Sequence, residues 1–264
     1  MLDVQNIHIT FNAGTPIETR ALRGVSLAIP EGQFVTVIGS NGAGKSTLLN
    51  AVSGDLGIDT GRILIDDKDV SRLPVWGRAQ DVARVFQDPM AGTCEDLTIE
   101  ENMALADRRG LTRGWKRAVQ GARRTVYQAR LASLGLGLEH RLDDRIGLLS
   151  GGQRQAISLL MAALQPSRIL LLDEHTAALD PRTAAFVLAL TARIVSEQKL
   201  TAMMVTHSMR QALDVGDRTI MLHQGEIVLD VSGDARRQMD VPDLLALFER
   251  VRGEALSDDA LLLG

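Results

Sequence analysis

The chain has 264 residues, 45% hydrophobic and 3% aromatic, enough for a leucine- and valine-rich core in one large domain or two closely joined ones. Its net charge of −4 excludes the broad basic field with which proteins hold nucleic acid, so no nucleic-acid partner is expected. Cys94 is the single cysteine, which excludes an internal disulfide and fits a reducing compartment.

Neither a leader nor a membrane span is predicted. The first residues lack the basic region and apolar stretch of a signal peptide. The apolar run at 156–164 is followed at once by the polar residues and proline of 165–168, so it falls short of a membrane span. We therefore expect a cytoplasmic chain whose membrane role depends on a partner.

The first third of the chain predicts strands and one helix. Apolar residues alternate with polar ones over 7–11 and 25–29, which is typical of half-buried antiparallel strands. Continuous apolar sequence at 34–38 predicts a buried strand that runs into a glycine-rich loop. A helix is expected over 46–52 with Gly54 as its C-cap, and a further strand over 62–65.

From about residue 87 to residue 164, helical spacing replaces the strand pattern, with helices predicted over 97–106 and 112–134. A strand at 168–172 follows, and Asp180-Pro181 supplies an N-cap and a first residue for the next helix. Four apolar residues are assigned to this helix: Phe186, Val187, Leu190 and Ile194. A strand at 201–205, a hairpin turning at Gln224-Gly225 and a helical tail complete the chain.

The glycine-rich loop has the sequence of a phosphate-binding loop. Residues 39–46 fit the pattern G-x-x-x-x-G-K-[ST], between an apolar strand and a helix. Glycines let backbone N–H groups turn toward phosphate oxygens, and the helix N-terminus adds partial positive charge. Lys45 would reach the β- and γ-phosphates, and the Ser46 hydroxyl would bind Mg²⁺. The residues assigned to nucleotide here are Gly39, Ser40, Asn41, Gly42, Ala43, Gly44, Lys45, Ser46 and Thr47.

Two adjacent carboxylates, Asp173 and Glu174, follow the apolar strand at 168–172. A carboxylate pair at the tip of a buried strand is poorly solvated unless a cation or water uses it. Asp173 suits contact with Mg²⁺, and Glu174 suits polarising the water that attacks the γ-phosphate. A polar strand end without function is the alternative reading, which the phosphate loop makes less favourable.

These elements predict an α/β fold, a phosphate-loop NTPase core with a mainly parallel sheet flanked by helices, an N-terminal antiparallel β subdomain and an inserted α-helical subdomain. The ATP-binding core would comprise residues 1–86 and 165–233. The helical subdomain would comprise residues 87–164, and a short helical tail residues 234–264.

Residues 149–153, Leu-Ser-Gly-Gly-Gln, resemble the signature motif of the ATP-binding-cassette (ABC) ATPases. Further motifs of that family follow in order. Gln87 resembles the Q-loop glutamine, Asp180 lies in a sequence similar to the D-loop, and His207 matches the switch histidine. Phe11 stands where the family places an aromatic residue that stacks on adenine, with a core phenylalanine as the alternative. The resemblance covers about residues 2–230.

The resemblance implies a role for each matched residue. Gln87 would contact Mg²⁺ or the attacking water, and His207 would hold Glu174 and the γ-phosphate. The signature residues Ser150, Gly151, Gly152 and Gln153 would face the ATP of a second copy, and Asp180 would cross the interface. Mg²⁺ would thus be held by Ser46, Gln87 and Asp173. Two copies would enclose two ATP molecules, so that each active site needs both chains.

The resemblance also implies partners and a location. Residues 91–102 and 174–180 resemble ATPases of bacterial import systems, and most of all poorly characterised amino-acid-type systems. A separate permease would dock near residues 88–98, and a substrate-binding protein would act through that permease. The chain would lie on the cytoplasmic side of the inner membrane. A soluble ABC-type ATPase, such as an iron–sulfur assembly factor, is the alternative.

The sequence departs from the family at His175, where proline is usual after the glutamate. A histidine there either adds pH sensitivity near neutrality or only alters the turn. A second open question concerns a group of basic residues, for which a solvated helix face is favoured over a local nucleic-acid-binding patch: Arg108, Arg109, Arg113, Lys116, Arg117, Arg123 and Arg124.

Overall fold

The computed structural model describes residues 1–111, 119 and 121–252. Its strands are β1 (Leu2–Phe11), β2 (Thr19–Ile29), β3 (Phe34–Ile38), β4 (Thr60–Ile65), β5 (Lys68–Asp69), β6 (Val82–Val85), β7 (Ile169–Asp173), β8 (Ala202–Val205), β9 (Arg218–His223) and β10 (Glu226–Ser232). Its helices are α1 (Lys45–Ser53), α2 (Val75–Arg78), α3 (Ile99–Ala106), α4 (Gly121–Ala132), α5 (Gly151–Ala162), α6 (Pro181–Gln198), α7 (Met209–Asp214), α8 (Gly233–Arg237) and α9 (Val241–Arg252).

The central sheet has six strands in the order β10-β9-β3-β8-β7-β6. All neighbouring strands are parallel except β9 and β10, which form the predicted hairpin. Strands β3 and β8 are buried along their whole length, as parallel strands covered on both faces must be. The predicted mainly parallel sheet is confirmed.

The antiparallel subdomain is a second sheet of four strands in the order β2-β1-β4-β5. Strand β1 pairs antiparallel with both β2 and β4. Its side chains alternate between buried and more exposed positions, because only one face of this sheet packs on the core. This confirms the antiparallel strands predicted from residues 7–11 and 25–29.

Successive residues of β6 and β7 point to opposite faces of the central sheet. Val82 and Leu171 pack in the core that contains α1 and the antiparallel sheet. Ala83, Val85 and Leu172 pack in the other core, with α5 and α6. Arg84 and Asp173 therefore belong to the face that α1 covers.

The helices between β6 and β7 confirm the predicted helical insertion in part. Helix α3 begins at Ile99, two residues later than predicted, because Thr98 is its N-cap and forms a capping box with Glu101. Of the helix predicted over 112–134, the structure has α4, and residues 112–118 and 120 lie outside the described residues. The division into subdomains at residues 87 and 164 stays a prediction.

Helix α6 starts as predicted, with Pro181 in its first turn and the Asp180 carboxylate accepting a hydrogen bond from Thr183 N at 3.1 Å. Val187, Leu190 and Ile194 are buried on one face. Phe186 is 38% exposed, because it lies just beyond the edge of that face, about 40° around the helix from Leu190 and about 100° from Val187.

The helical tail packs on the core as far as it is described. Leu244 and Phe248 of α9 are buried against Ile38, Met209 and Met221. The end of the predicted tail, residues 253–264, lies outside the described part of the chain. Among the helices described, none is both long enough and apolar enough to cross a membrane.

Candidate functional site

The candidate catalytic groups follow four neighbouring strands of the central sheet. The phosphate loop follows β3, His207 follows β8, Asp173 and Glu174 end β7, and Gln87 follows β6. Because these strands are parallel and adjacent, their carboxyl ends meet at one edge, where open α/β sheets bind ligands. Backbone hydrogen bonds hold the ends of these strands together: Glu174 N donates to Val205 O at 3.0 Å, and Thr206 N donates to Val37 O at 3.1 Å.

A cleft of about 530 Å³ lies at this edge. Most of the predicted site residues line it: Phe11, Asn41, Gly42, Ala43, Gly44, Lys45, Ser46, Thr47, Gln87, Glu174 and His207. Phe11 lines this cleft and is 39% exposed, which disfavours the alternative of a core phenylalanine. A larger depression of about 1160 Å³ lies beside it on the antiparallel sheet, but it contains no phosphate-loop residue, so we assign the chemistry to the smaller cleft.

Two glycines of the phosphate loop are required by space as well as by conformation. A Cβ on Gly39 would lie 2.2 Å from the carbonyl oxygen of Leu222. Gly44 has φ 101°, and a Cβ there would lie 2.6 Å from the carbonyl oxygen of Ala21. The loop thus packs against β2 and β9 and delivers the N-terminus of α1 to the cleft, as an anion site needs.

Lys45 is held in the same loop. Its side chain is buried, and Nζ donates to Gly39 O at 2.6 Å and to Ser40 O at 3.1 Å. Burial lowers the pKa of Lys45, while the Glu174 carboxylate opposes that shift. The cleft therefore contains a cation positioned by backbone carbonyls beside the first N–H groups of α1.

Glu174 and His207 form a close side-chain contact in this cleft. His207 Nε2 lies 2.6 Å from Glu174 Oε1. Glu174 is 9% exposed and has φ 42°, a left-handed conformation that a glutamate rarely adopts. The imidazole therefore fixes the carboxylate orientation, and the pair can hold a water molecule between them and a phosphate.

The oxygen groups near the phosphate loop suit a hard cation such as Mg²⁺. Ser46 and Gln87 both line the cleft with an oxygen donor. Asp173 does not line the cleft, but it lies on the α1 face of β7 and its Oδ2 accepts a bond from Arg84 at 2.6 Å. The oxygen donors of Ser46, Gln87 and Asp173 therefore fit a Mg²⁺ ion that would also be bound by the phosphates of a nucleotide.

The signature residues lie apart from this cleft. Ser150 is the N-cap of α5, and it forms a capping box with Gln153. Ser150 and Gly151 are exposed. Gly152 is buried against Thr183 of α6, where a Cβ would lie 2.1 Å from Thr183 Cγ2. A second surface of the chain thus carries the exposed residues Ser150, Gly151 and Asp180. Neither these residues nor Gly152 and Gln153 line the cleft.

His175 lies in the core, facing α6. It is 1% exposed, and its Nε2 lies 2.8 Å from Thr191 Oγ1. The Thr191 hydroxyl donates to Val187 O, so the histidine N–H is the donor. Burial lowers the pKa of His175 to about 4. The ring is therefore neutral near pH 7, which favours the reading in which His175 only alters the turn.

Replacing His175 with proline is expected to weaken the acid sensitivity of folding. Since the folded pKa of about 4 lies below the ordinary 6.5, the unfolded chain binds the proton first as pH falls. The contribution of the neutral, buried His175 to the unfolding free energy is therefore complete above about pH 6.5, and it is lost as the pH falls toward 4. From about pH 7.5 to about pH 5.5, the wild type should lose about 1.3 kcal/mol more unfolding free energy than the variant, as measured by urea titration.

The ATPase pH profile of the same variant provides the check on catalysis. A profile of unchanged shape near neutrality is expected, because a neutral ring in the core has no proton to exchange there. A shifted profile would restore the hypothesis that His175 tunes Glu174.

Three described members of the basic group, Arg109, Arg123 and Arg124, have local partners for their side chains. Arg109 donates to the carbonyls of Ala162 and Gln165. Arg124 contacts the carboxylates of Glu100 and Asp143, and Arg123 contacts Asp107 at 3.3 Å. Arg113, Lys116 and Arg117 lie outside the described residues. The contacts of Arg109, Arg123 and Arg124 favour structural roles over a nucleic-acid-binding patch.

Sequence comparison assigns the chain to a family. The sequence model described as ABC transporter matches residues 22–177. The chain belongs to the ABC transporter family. Membership in this ATPase family implies that it binds and hydrolyses ATP.

Relatives with names include import-system subunits. The tyrosine transport ATP-binding protein of Clostridioides difficile is 42% identical over 249 residues, covering 94% of this chain and 99% of that protein. The phosphonates import ATP-binding protein of Chromohalobacter salexigens is 36% identical, covering 87% of this chain and 84% of that protein.

A solved ABC cassette has a similar structure. The ATP-binding cassette MJ0796, in a dimeric post-hydrolysis state bound to ADP and Pi, matches with a TM-score of 0.74 and 30% identity. The match covers 88% of this chain and 98% of that one. The fold predicted for this ABC protein is thereby confirmed.

Gln211 of α7 is a further residue near the edge of the sheet that carries the cleft, and the sequence pattern does not mark it. Gln211 of α7 accepts hydrogen bonds through Oε1 from Thr176 at 3.2 Å and from Thr206 at 3.0 Å. It therefore links the loop after Glu174 to the loop that carries His207. Nothing in the local pattern of α7 identifies this role, because the two threonines are 30 residues apart.

Proposed function

We propose that this chain is the ATP-hydrolysing subunit of a bacterial import system. Two copies would close on two ATP molecules and drive a separate permease. The observation that carries the proposal is the separation of two surfaces on one chain: a cleft with the phosphate loop and the Glu174–His207 pair, and an exposed turn at Ser150 and Gly151 outside it.

The cleft would bind ATP through its backbone and Lys45. The N–H groups at the start of α1 and the Lys45 ammonium would hold the phosphates, and Phe11 would stack on adenine. Ser46, Gln87 and Asp173 would hold Mg²⁺, which neutralises charge on the phosphates when it is bound.

Hydrolysis would depend on Glu174. Its carboxylate would polarise a water molecule toward the γ-phosphate, and His207 would keep that carboxylate in place through the 2.6 Å contact. The burial of Glu174 reduces competition from solvent.

The second copy would complete the site. Its Ser150 hydroxyl and the first N–H groups of its α5 would bind the γ-phosphate from the opposite side, and Gly151, Gly152 and Gln153 would shape that turn. Asp180 would lie at the interface between the copies. Hydrolysis would remove the phosphate that both chains hold, and the dimer would open.

The relatives support the proposed permease and cargo. Three transport or import ATP-binding proteins are 35% to 42% identical to this chain, and one of them is named for tyrosine transport. We propose an amino-acid-type cargo, selected by a substrate-binding protein and the permease, and a location on the cytoplasmic side of the inner membrane.

Co-purification tests the transport assignment. The tagged chain, expressed in its own organism and extracted with mild detergent, should retain an integral membrane subunit whose presence changes its ATPase rate. Recovery of this chain only with soluble proteins would contradict the assignment and favour a soluble ABC-type ATPase.

A further inference from the structure

Arg84 is a charged residue in an otherwise apolar strand. Its neighbours in β6 are Val82, Ala83 and Val85. The Arg84 side chain is 14% exposed, and its two terminal nitrogens contact two carboxylates. Nη2 donates to Asp173 Oδ2 at 2.6 Å, and Nη1 donates to Asp55 Oδ2 at 2.6 Å.

The strand register explains this geometry. Arg84 pairs with Leu171 across the parallel strands, so it shares a face with Asp173 two residues further on. That face is covered by α1, and Asp55 lies just beyond the C-terminal end of α1. The guanidinium also lies over the ring of Phe86, with its carbon 4.7 Å from the ring centroid. Phe86 directly precedes Gln87 in the chain.

A nearly buried arginine between two carboxylates has a large desolvation cost, which the paired geometry offsets. The pairing leaves the two oxygens of Asp173 unequal. Oδ2 accepts the charge-assisted bond from Arg84, whereas no hydrogen bond to Oδ1 is seen among the described residues. The carboxylate is therefore fixed through one oxygen and retains the other for a ligand.

We propose that Arg84 is a positioning residue for magnesium: it orients the Asp173 carboxylate so that Oδ1 serves Mg²⁺ at the nucleotide. This inference rests on the proposed function, in which Asp173 helps to hold Mg²⁺. Groups that hydrogen-bond a metal-binding carboxylate fix its orientation, and their loss typically costs about 10- to 100-fold in metal affinity. Asp55 balances part of the guanidinium charge on the side away from Asp173, where Nη1 donates to it.

A purely structural role is the competing account. In that account Arg84 ties β6 to the end of α1, and losing it lowers stability without affecting the metal. The matched control is Asp55→Asn, which removes the charge of the outer partner and leaves the Arg84–Asp173 bond. Asp55→Asn should lower stability and leave the Mg²⁺ requirement near that of the parent.

The test is a Mg²⁺ titration of nucleotide binding in a Glu174→Gln background, which removes turnover. Binding of fluorescently labelled ATP is measured at fixed nucleotide, first with EDTA and then with increasing Mg²⁺. Arg84→Met should raise the Mg²⁺ concentration at half-saturation by about 10- to 100-fold, and change the affinity in EDTA by less than about threefold. Arg84→Lys, which retains the charge but loses the forked geometry, should show a smaller increase.

The Arg84 proposal is overturned if Arg84→Met folds and its half-saturating Mg²⁺ concentration equals that of the parent. If Arg84→Met does not fold, the same criterion applies to Arg84→Lys. Asp173→Asn separates this outcome from a failure of the proposed function. If Asp173→Asn raises the Mg²⁺ requirement and the Arg84 variants do not, only the role of Arg84 is wrong. If Asp173→Asn also leaves it unchanged, the assignment of Asp173 to Mg²⁺ is wrong.

Discussion

Glu174→Gln should reduce the ATPase rate by about 10²- to 10³-fold while ATP still binds, as losing one preorganised catalytic group commonly does. Glutamine has nearly the size of glutamate and can still bond to His207, but it has no charge with which to polarise water. Since the γ-phosphate is then not removed, the ATP-bound dimer should persist. Phosphate release gives the rate, and size-exclusion chromatography with saturating ATP and Mg²⁺ gives the oligomeric state.

Glu197→Gln is a suitable control, because it makes the same chemical change at an exposed position near the end of α6. It should behave as wild type in both measurements. The role assigned to Glu174 is wrong if Glu174→Gln hydrolyses ATP at the control rate. The sandwich arrangement is wrong if the variant binds ATP and elutes as a monomer.

Ser150→Arg is expected to abolish most ATP hydrolysis without preventing ATP binding by a single chain. Ser150 is exposed and lies outside the cleft, so a larger side chain there leaves the phosphate loop of its own chain untouched. The same side chain would obstruct the partner's γ-phosphate. A loss of about 10²-fold or more in rate, with near-normal binding of ATP to the monomer, is the expected pattern.

Loss of the helix cap is a separate effect of Ser150→Arg, since the Ser150 hydroxyl accepts from Gln153 N at 3.3 Å. An N-cap serine contributes about 1 kcal/mol, which lowers stability but does not unfold most domains. Ser150→Thr retains the cap and should retain activity. Ser133→Arg adds the same charge at an exposed serine just beyond α4 and should be as active as wild type. Reduced ATP binding by monomeric Ser150→Arg would indicate that Ser150 serves its own chain's cleft.

The fold and most of the cleft follow from local sequence signals. A phosphate loop needs glycines, a lysine and a hydroxyl within eight residues, and an apolar strand ending in two acids is equally local. Asp180-Pro181 specifies the start of α6 through cap chemistry, as the structure shows. The capping box at Thr98 and Glu101 is also written in the sequence, so the start of α3 could have been predicted.

The contacts that local reasoning could not give are those between elements distant in the chain. The Arg84–Asp173 pair joins residues 89 positions apart, and it depends on the register of β6 and β7. The sequence places His175 beside Glu174, but its environment is set by Thr191 on α6. Whether Phe186 is buried depends on how α6 rotates against the sheet, a property of the whole core.

The central claim is that each active site is built from two chains, and mixing two inactive variants tests it most directly. Lys45→Ala should lack phosphate binding, and Ser150→Arg should lack the partner surface, so each variant alone should be inactive. After mixing in equal amounts, half of the dimers contain one complete site, formed by Lys45 of one chain and Ser150 of the other. The account predicts recovery of about a quarter of the wild-type ATPase rate, because half of the dimers have half of their sites. A mixture no faster than the two variants measured separately would contradict it.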